Sequence, residues 1–133
     1  MTTIKSRYAK GTSVTVDRSR AAISKALRDY GATGVMEGWD GDKAFVAFLH
    51  GKYQVRIVIQ IPDNERRTRE RYRVLLLLIK ARFEMIATGS RTFEEEFLAD
   101  IVMPNGQTVS EGALPTIRQA IEEGRMPQKL LPM

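Results

Sequence analysis

The chain has 133 residues, 43% of them hydrophobic, enough for one domain with a real core, and its lack of cysteine excludes disulfides, thiolate nucleophiles and Cys-ligated metal sites. Its longest unbroken apolar run, 74–79, is far shorter than the roughly 18 residues of a membrane helix, and no signal peptide begins it, so a cytoplasmic protein without a membrane partner is expected. The net charge of +5 is uneven: residues 1–82 hold 17 basic and 8 acidic side chains, residues 83–133 hold 4 and 8, which favours a positive surface kept for a polyanion.

Residues 1–16 are polar and basic (Lys5, Arg7, Lys10) and read as a flexible arm, with strand character at 13–16. Asp17 then offers a cap for a helix in which Ala22, Ile23, Ala26, Leu27 and Tyr30 supply helical apolar spacing, ended by Gly31. Three strands are predicted over 33–39, 43–50 and 52–61, with turns at Asp40-Gly41 and His50-Gly51. In the third, Tyr53, Val55, Ile57 and Ile59 share one face while Gln54, Arg56, Val58 and Gln60 share the other, the pattern of an antiparallel meander with one wet face. A long helix over 65–88 follows, charged at its start, apolar all round at its centre and read as the buried cover of the sheet. Thr92 and Glu95 stand in capping-box spacing for a helix over 92–99. The run Pro104-Asn105-Gly106-Gln107 predicts a type I′ hairpin, and a last helix is expected from about 112 to 123 with Pro115 in its first turn. The expected fold is α+β: one domain over 17–124, with an extended tail at 125–133.

The strongest chemical signal is the arginine cluster at 66, 67, 69, 71 and 73. At 100° per residue Arg66, Arg69, Arg73 and Lys80 form one stripe, with Arg67, Arg71 and Arg82 on a neighbouring one. Guanidinium forks suit phosphate oxygens, and five arginines against Glu65 and Glu70 leave an excess that pairing of Glu65 with Arg69 and Glu70 with Arg73 does not absorb. Lys52, Arg56 and the arm residues Lys5, Arg7 and Lys10 are expected to extend this surface. Tyr72, set among arginines, is the best candidate to stack on a base, ahead of Trp39 and Tyr53, for which a core position is favoured.

Two carboxylate groups, Glu37/Asp40/Asp42 and Glu94/Glu95/Glu96/Asp100, are compatible with a divalent cation, but turn chemistry and helix capping account for them more simply. His50 stands alone and reads as an exposed turn residue, without a nucleophile motif or a metal-ligand partner. No cofactor or catalytic residue is assigned, and an enzyme is not expected unless the carboxylates converge as a metal-dependent nuclease. Phe93, Phe97, Leu98, Leu114, Ile117 and Ile121 are more apolar surface than a three-stranded sheet should cover, which predicts a homodimer or higher homo-oligomer.

The element order resembles that of double-stranded RNA-binding domains, without their lysine-rich approach to the second helix, and the core of single-strand annealing proteins of recombination. The segments Asp29-Tyr30-Gly31-Ala32-Thr33 through Trp39, Leu75-Leu76-Leu77-Leu78-Ile79-Lys80-Ala81, Thr92-Phe93-Glu94-Glu95-Glu96-Phe97-Leu98-Ala99 and 101–109 resemble a family of small uncharacterised proteins encoded by bacteriophages and prophages. That resemblance implies a phage setting and no particular chemistry. The expected function is a non-enzymatic nucleic-acid-binding protein, an accessory of DNA replication or recombination, on single or double strands. The alternative is a module that docks on a host, phage or defence protein through the 103–107 hairpin and the 126–133 tail.

Overall fold

A computed structural model describes residues 14–131, so the expected contributions of Lys5, Arg7 and Lys10 lie outside the described residues. The elements are α1 (Val14–Asp29), β1 (Thr33–Asp40), β2 (Lys43–His50), β3 (Tyr53–Gln60), α2 (Glu65–Ala87), α3 (Phe93–Phe97), a 3-10 turn (Leu98–Asp100) and α4 (Val109–Glu123). They form the expected α+β fold around a three-stranded antiparallel sheet of order β1-β2-β3. Where strand character was expected at 13–16, α1 has already begun at Val14, because fully buried Val16 starts the apolar row continued by Ile23 and Leu27.

Alternation in β3 fixes which face meets the helices: Val55 and Ile57 are buried, while Gln54, Val58 and Gln60 are exposed. Full pairing of β2 with β3, from Lys43–Gln60 to His50–Tyr53, carries the same sidedness to Ala44, Val46 and Phe48. The β1–β2 register slips between Thr33 and Met36, where Gly34 takes φ 58°, a bulge conformation that a β-branched residue would resist.

α1 and α2 lie side by side on the inner face and run in the same direction. Tyr30 stacks on Phe83 near their C-terminal ends, with ring centroids 4.8 Å apart, while Arg20 bears on Tyr72 nearer their N-terminal ends. The sheet buries one stripe of α2, Thr68, Tyr72, Leu75, Ile79 and Phe83. The helix is therefore not buried all round: Val74 (57% exposed), Leu77 (59%), Leu78 and Met85 remain at the surface, because α1 shares the sheet and leaves α2 only one face to bury.

An aromatic cluster closes the far end of the core. Phe97, fully buried, meets Phe48 edge-on at 5.7 Å and Phe93 at 4.8 Å, and Phe93 stacks on His50 at 4.5 Å. His50 is thus not a free turn residue; its Nε2–H donates to the Tyr30 carbonyl at 3.2 Å. Phe93 and Phe97 are covered within one chain, which removes the reason for expecting a second chain to cover them, whereas Leu98, Leu114 and Ile121 stay exposed.

The Thr92/Glu95 capping box forms as expected, and α3 passes into the 3-10 turn. Beyond it, Ile101 bridges Val55 and so covers the start of the β3 edge. The 103–107 hairpin is present but not as type I′: the Gly106 N–H donates to the Met103 carbonyl, so the turn sits one residue earlier than expected, and of the two central residues type I′ requires at positive φ, Asn105 and Gly106, only Gly106 has it (88°). Helix α4 begins earlier than expected, capped by Thr108 and Glu111, which places Pro115 beyond its first turn.

Glu111 also accepts from Arg56 at 2.9 Å, tying α4 to the outer face of the sheet. The Thr108 backbone N–H holds the Glu111 carboxyl below its ordinary value against the opposing effect of burial, and the Arg56 guanidinium adds a smaller lowering. A carboxylate held low adds stability that is present above its unfolded pKa and lost as pH falls through its folded pKa. Glu111→Gln is expected to lower the urea midpoint near neutral pH, with the gap to the parent narrowing as pH falls below the ordinary carboxylate range. A gap that persists unchanged to about pH 3 contradicts this.

Candidate nucleic-acid interface

Asn64 caps α2 by accepting from the Arg67 backbone N–H, and buried Thr68 donates to the Asn64 carbonyl, so the arginine-rich first turns are held as ordered helix against the sheet. With Thr68, Tyr72 and Leu75 turned inward, Arg66, Arg67, Arg71 and Arg73 are exposed and Arg69 is half-buried. Lys80 is also exposed and continues the stripe of Arg66, Arg69 and Arg73. From Arg66 to Lys80 the rise is about 21 Å at ~1.5 Å per residue.

The expected Glu65–Arg69 and Glu70–Arg73 pairs are not the ones formed. Glu70 turns back to Arg66 at 3.6 Å, an exposed i,i+4 pair worth only a few tenths of a kcal/mol. Among the described residues, Arg67, Arg69 and Arg73 carry no ion pair, while Arg71 donates to the Gln60 carbonyl at 2.8 Å and anchors the helix to the end of β3.

Three expected members of the site are corrected. Tyr72 is 3% exposed; burial pushes its hydroxyl up to about 12, and its ring has no free face for a base. Arg56 lies on the outer sheet face, opposite the helices, where it donates to the Gly106 carbonyl and pairs with Glu111. Lys52 sits in the β2–β3 turn, 5.5 Å from the Tyr53 ring, whereas Arg71 meets Gln60 at the opposite end of β3. Seven strand steps of ~3.3 Å put these ends about 23 Å apart, so Lys52 lies far from the arginine-rich first turns of α2.

The other rings are also engaged. Trp39 packs against the core with the Arg20 guanidinium 4.3 Å above it, and Arg20 Nε donates to Glu37 at 3.1 Å. Tyr53 stacks on Phe93 and donates to Glu94.

The carboxylates do not assemble. Asp40 lies in the exposed β1–β2 turn with Asp42, whose carbonyl accepts from Ile61, while Glu94 reaches Tyr53 at the other end of the sheet. Glu95 caps α3, Glu96 pairs with Arg91, and Asp100 takes Arg82 at 3.3 Å. Among the described residues, no group of three or more His, Cys, Asp or Glu side chains is placed to hold a metal ion.

Basic residues outside the expected set join the same layer. Arg18 and Lys25 are exposed on α1 and stand seven positions apart, as Arg66, Arg73 and Lys80 do on α2. The sequence signal for this row is the seven-residue spacing of the two cations, on the side of the helix opposite its apolar face. Among the described residues no helix is long and apolar enough to cross a membrane. Comparisons with protein-family models, curated proteins and solved structures return no match.

Proposed function

We propose that this protein binds nucleic acid without catalysing its chemistry, gripping the phosphate backbone with the arginine-rich half of α2, as a phage-type accessory of DNA replication or recombination. One observation carries the reading: Arg66, Arg69, Arg73 and Lys80 form a continuous stripe on a capped, packed helix, with Arg67 beside it and one weak internal pair, Arg66–Glu70, as the only ion pair of this stretch among the described residues. Ordering long cationic side chains on a rigid helix favours a polyanion over dispersed small anions. Fluorescence anisotropy with labelled DNA and RNA tests it. Binding that weakens steeply with salt supports it, and no binding at low salt contradicts it.

A homodimer remains part of the proposal on different grounds from those in the sequence. Exposed Val74, Leu77, Leu78 and Met85 border the basic stripe along α2. Sedimentation at high concentration that yields only a 15.0 kDa species contradicts it.

A second reading, docking on a host or defence protein, is favoured by a groove of about 330 Å³ between α4 and the tail, where Ile121 is 77% and Met126 91% exposed. A partner retained after nuclease treatment and lost with Ile121→Asp supports that reading. A partner released by nuclease supports the first.

A further inference from the structure

We propose that the polyanion is a double helix lying along both α1 and α2, with Arg18 and Lys25 forming a second row of phosphate contacts beside Arg66, Arg69, Arg73 and Lys80. This rests on the nucleic-acid reading above and adds the class of nucleic acid.

The two helices are parallel neighbours on one face of the sheet, and packed helices lie roughly 8–10 Å apart. Each carries cations at seven-residue intervals, close to two full turns, so that they recur on one side about every 10.5 Å. On α1 the buried residues Val16, Ile23, Ala26 and Leu27 place Arg18 and Lys25 on the side away from the sheet. On α2 the buried stripe places Arg66 and Arg73 outward, with Arg69 and Lys80 leaning toward α1. Most acidic groups of this layer are engaged, Glu84 with Tyr30, Glu70 with Arg66, Asp17 with Arg20 and Asp29 with Lys25, and exposed Glu65 lies at the very start of α2. The Lys25–Asp29 pair is solvent-exposed, its side chains 77% and 59% exposed, and yields readily to a phosphate.

Two cation rows about 10 Å apart match two phosphate rows flanking a groove, and B-form grooves are ~6 and ~12 Å wide. A single strand offers one row and gains much of its affinity from stacking on aromatic rings. Tyr72, the ring nearest the stripe in sequence, is buried, so the surface is equipped for backbone and not for bases.

The test is anisotropy with one labelled mixed sequence offered as a DNA duplex, as an RNA duplex and as each single strand, over a salt series. Parent protein and the double variant Arg18→Ala/Lys25→Ala are compared, with a thermal melt to confirm that the variant folds. Expected are at least roughly tenfold tighter binding to a duplex than to its strands, and a steep duplex slope with up to six phosphates contributing about −0.9 each. The variant should lose about tenfold on the duplex, lower its slope by about 2 and change single-strand binding less than about twofold. Equal or tighter binding to single strands, or a variant with an unchanged duplex slope, overturns the proposal and leaves the nucleic-acid reading standing. No binding to any of these probes overturns both.

Discussion

Phe97→Ala is expected to destabilise the protein by about 3–5 kcal/mol, the largest single effect of any substitution named here. Phe97 is fully buried and is the side chain through which α3 enters the core, touching rings from β2 (Phe48), α2 (Phe83) and its own helix (Phe93), at centroid distances of 4.8 to 5.7 Å. Truncation removes its apolar transfer energy and leaves a cavity that three rings anchored on different elements can collapse into only partly. Arg82 also lies 5.5 Å from that ring while it pairs with Asp100, so the substitution loosens the link between α2 and the 3-10 turn. Urea denaturation measures the loss through the midpoint, with the slope unchanged if the unfolded state is the same. A loss below about 1.5 kcal/mol contradicts this account of the core.

Arg66→Ala/Arg69→Ala/Arg73→Ala is expected to weaken nucleic-acid binding about a hundredfold at moderate salt, with little change in stability. The two effects separate because, apart from the half-buried stem of Arg69, these side chains make no ion pair beyond the exposed Arg66–Glu70 pair, and surface substitutions of that kind shift stability by only about 0.5 kcal/mol. Charge-assisted contacts contribute on the order of 1 kcal/mol or more each, and three of them approach 3 kcal/mol, which is about two orders of magnitude in affinity. Arg71→Ala is the informative contrast. Its guanidinium is committed to the Gln60 carbonyl, so its loss should lower stability more and binding less than the average of the other three. Anisotropy titrations paired with thermal melts distinguish these outcomes; a triple variant that binds like the parent contradicts the placement of the interface.

The strands were legible in the sequence because their side-chain period of two is a local property. The alternation of Tyr53, Val55, Ile57 and Ile59 against Gln54, Arg56, Val58 and Gln60 gave the buried and wet faces of β3 directly. The orientation of α2 was harder to read, since 74–79 is apolar on every side and the choice of buried stripe depends on how two parallel helices divide one sheet. Tyr72 was misplaced for the same reason: its arginine neighbours in sequence point away from it, while Leu75, Ile79 and Thr68, at helical spacing, share its face. Arg56 was correctly read on the wet face, but its partner Glu111 is 55 residues away and nothing local announces it. The arginine stripe itself was legible, because 100° steps along a helix need no tertiary information.

The most direct test of the central claim is the salt dependence of binding by the parent protein. The α2 stripe supplies three cations without ion pairs among the described residues, Arg67, Arg69 and Arg73, together with the weakly paired Arg66 and exposed Lys80. Plotted as log K against log salt concentration, binding is predicted to fall with a slope of about −3 to −5 from α2 alone and to vary little with base sequence. A slope near zero, or an affinity that changes more than about tenfold with sequence at constant salt, would contradict backbone recognition by α2.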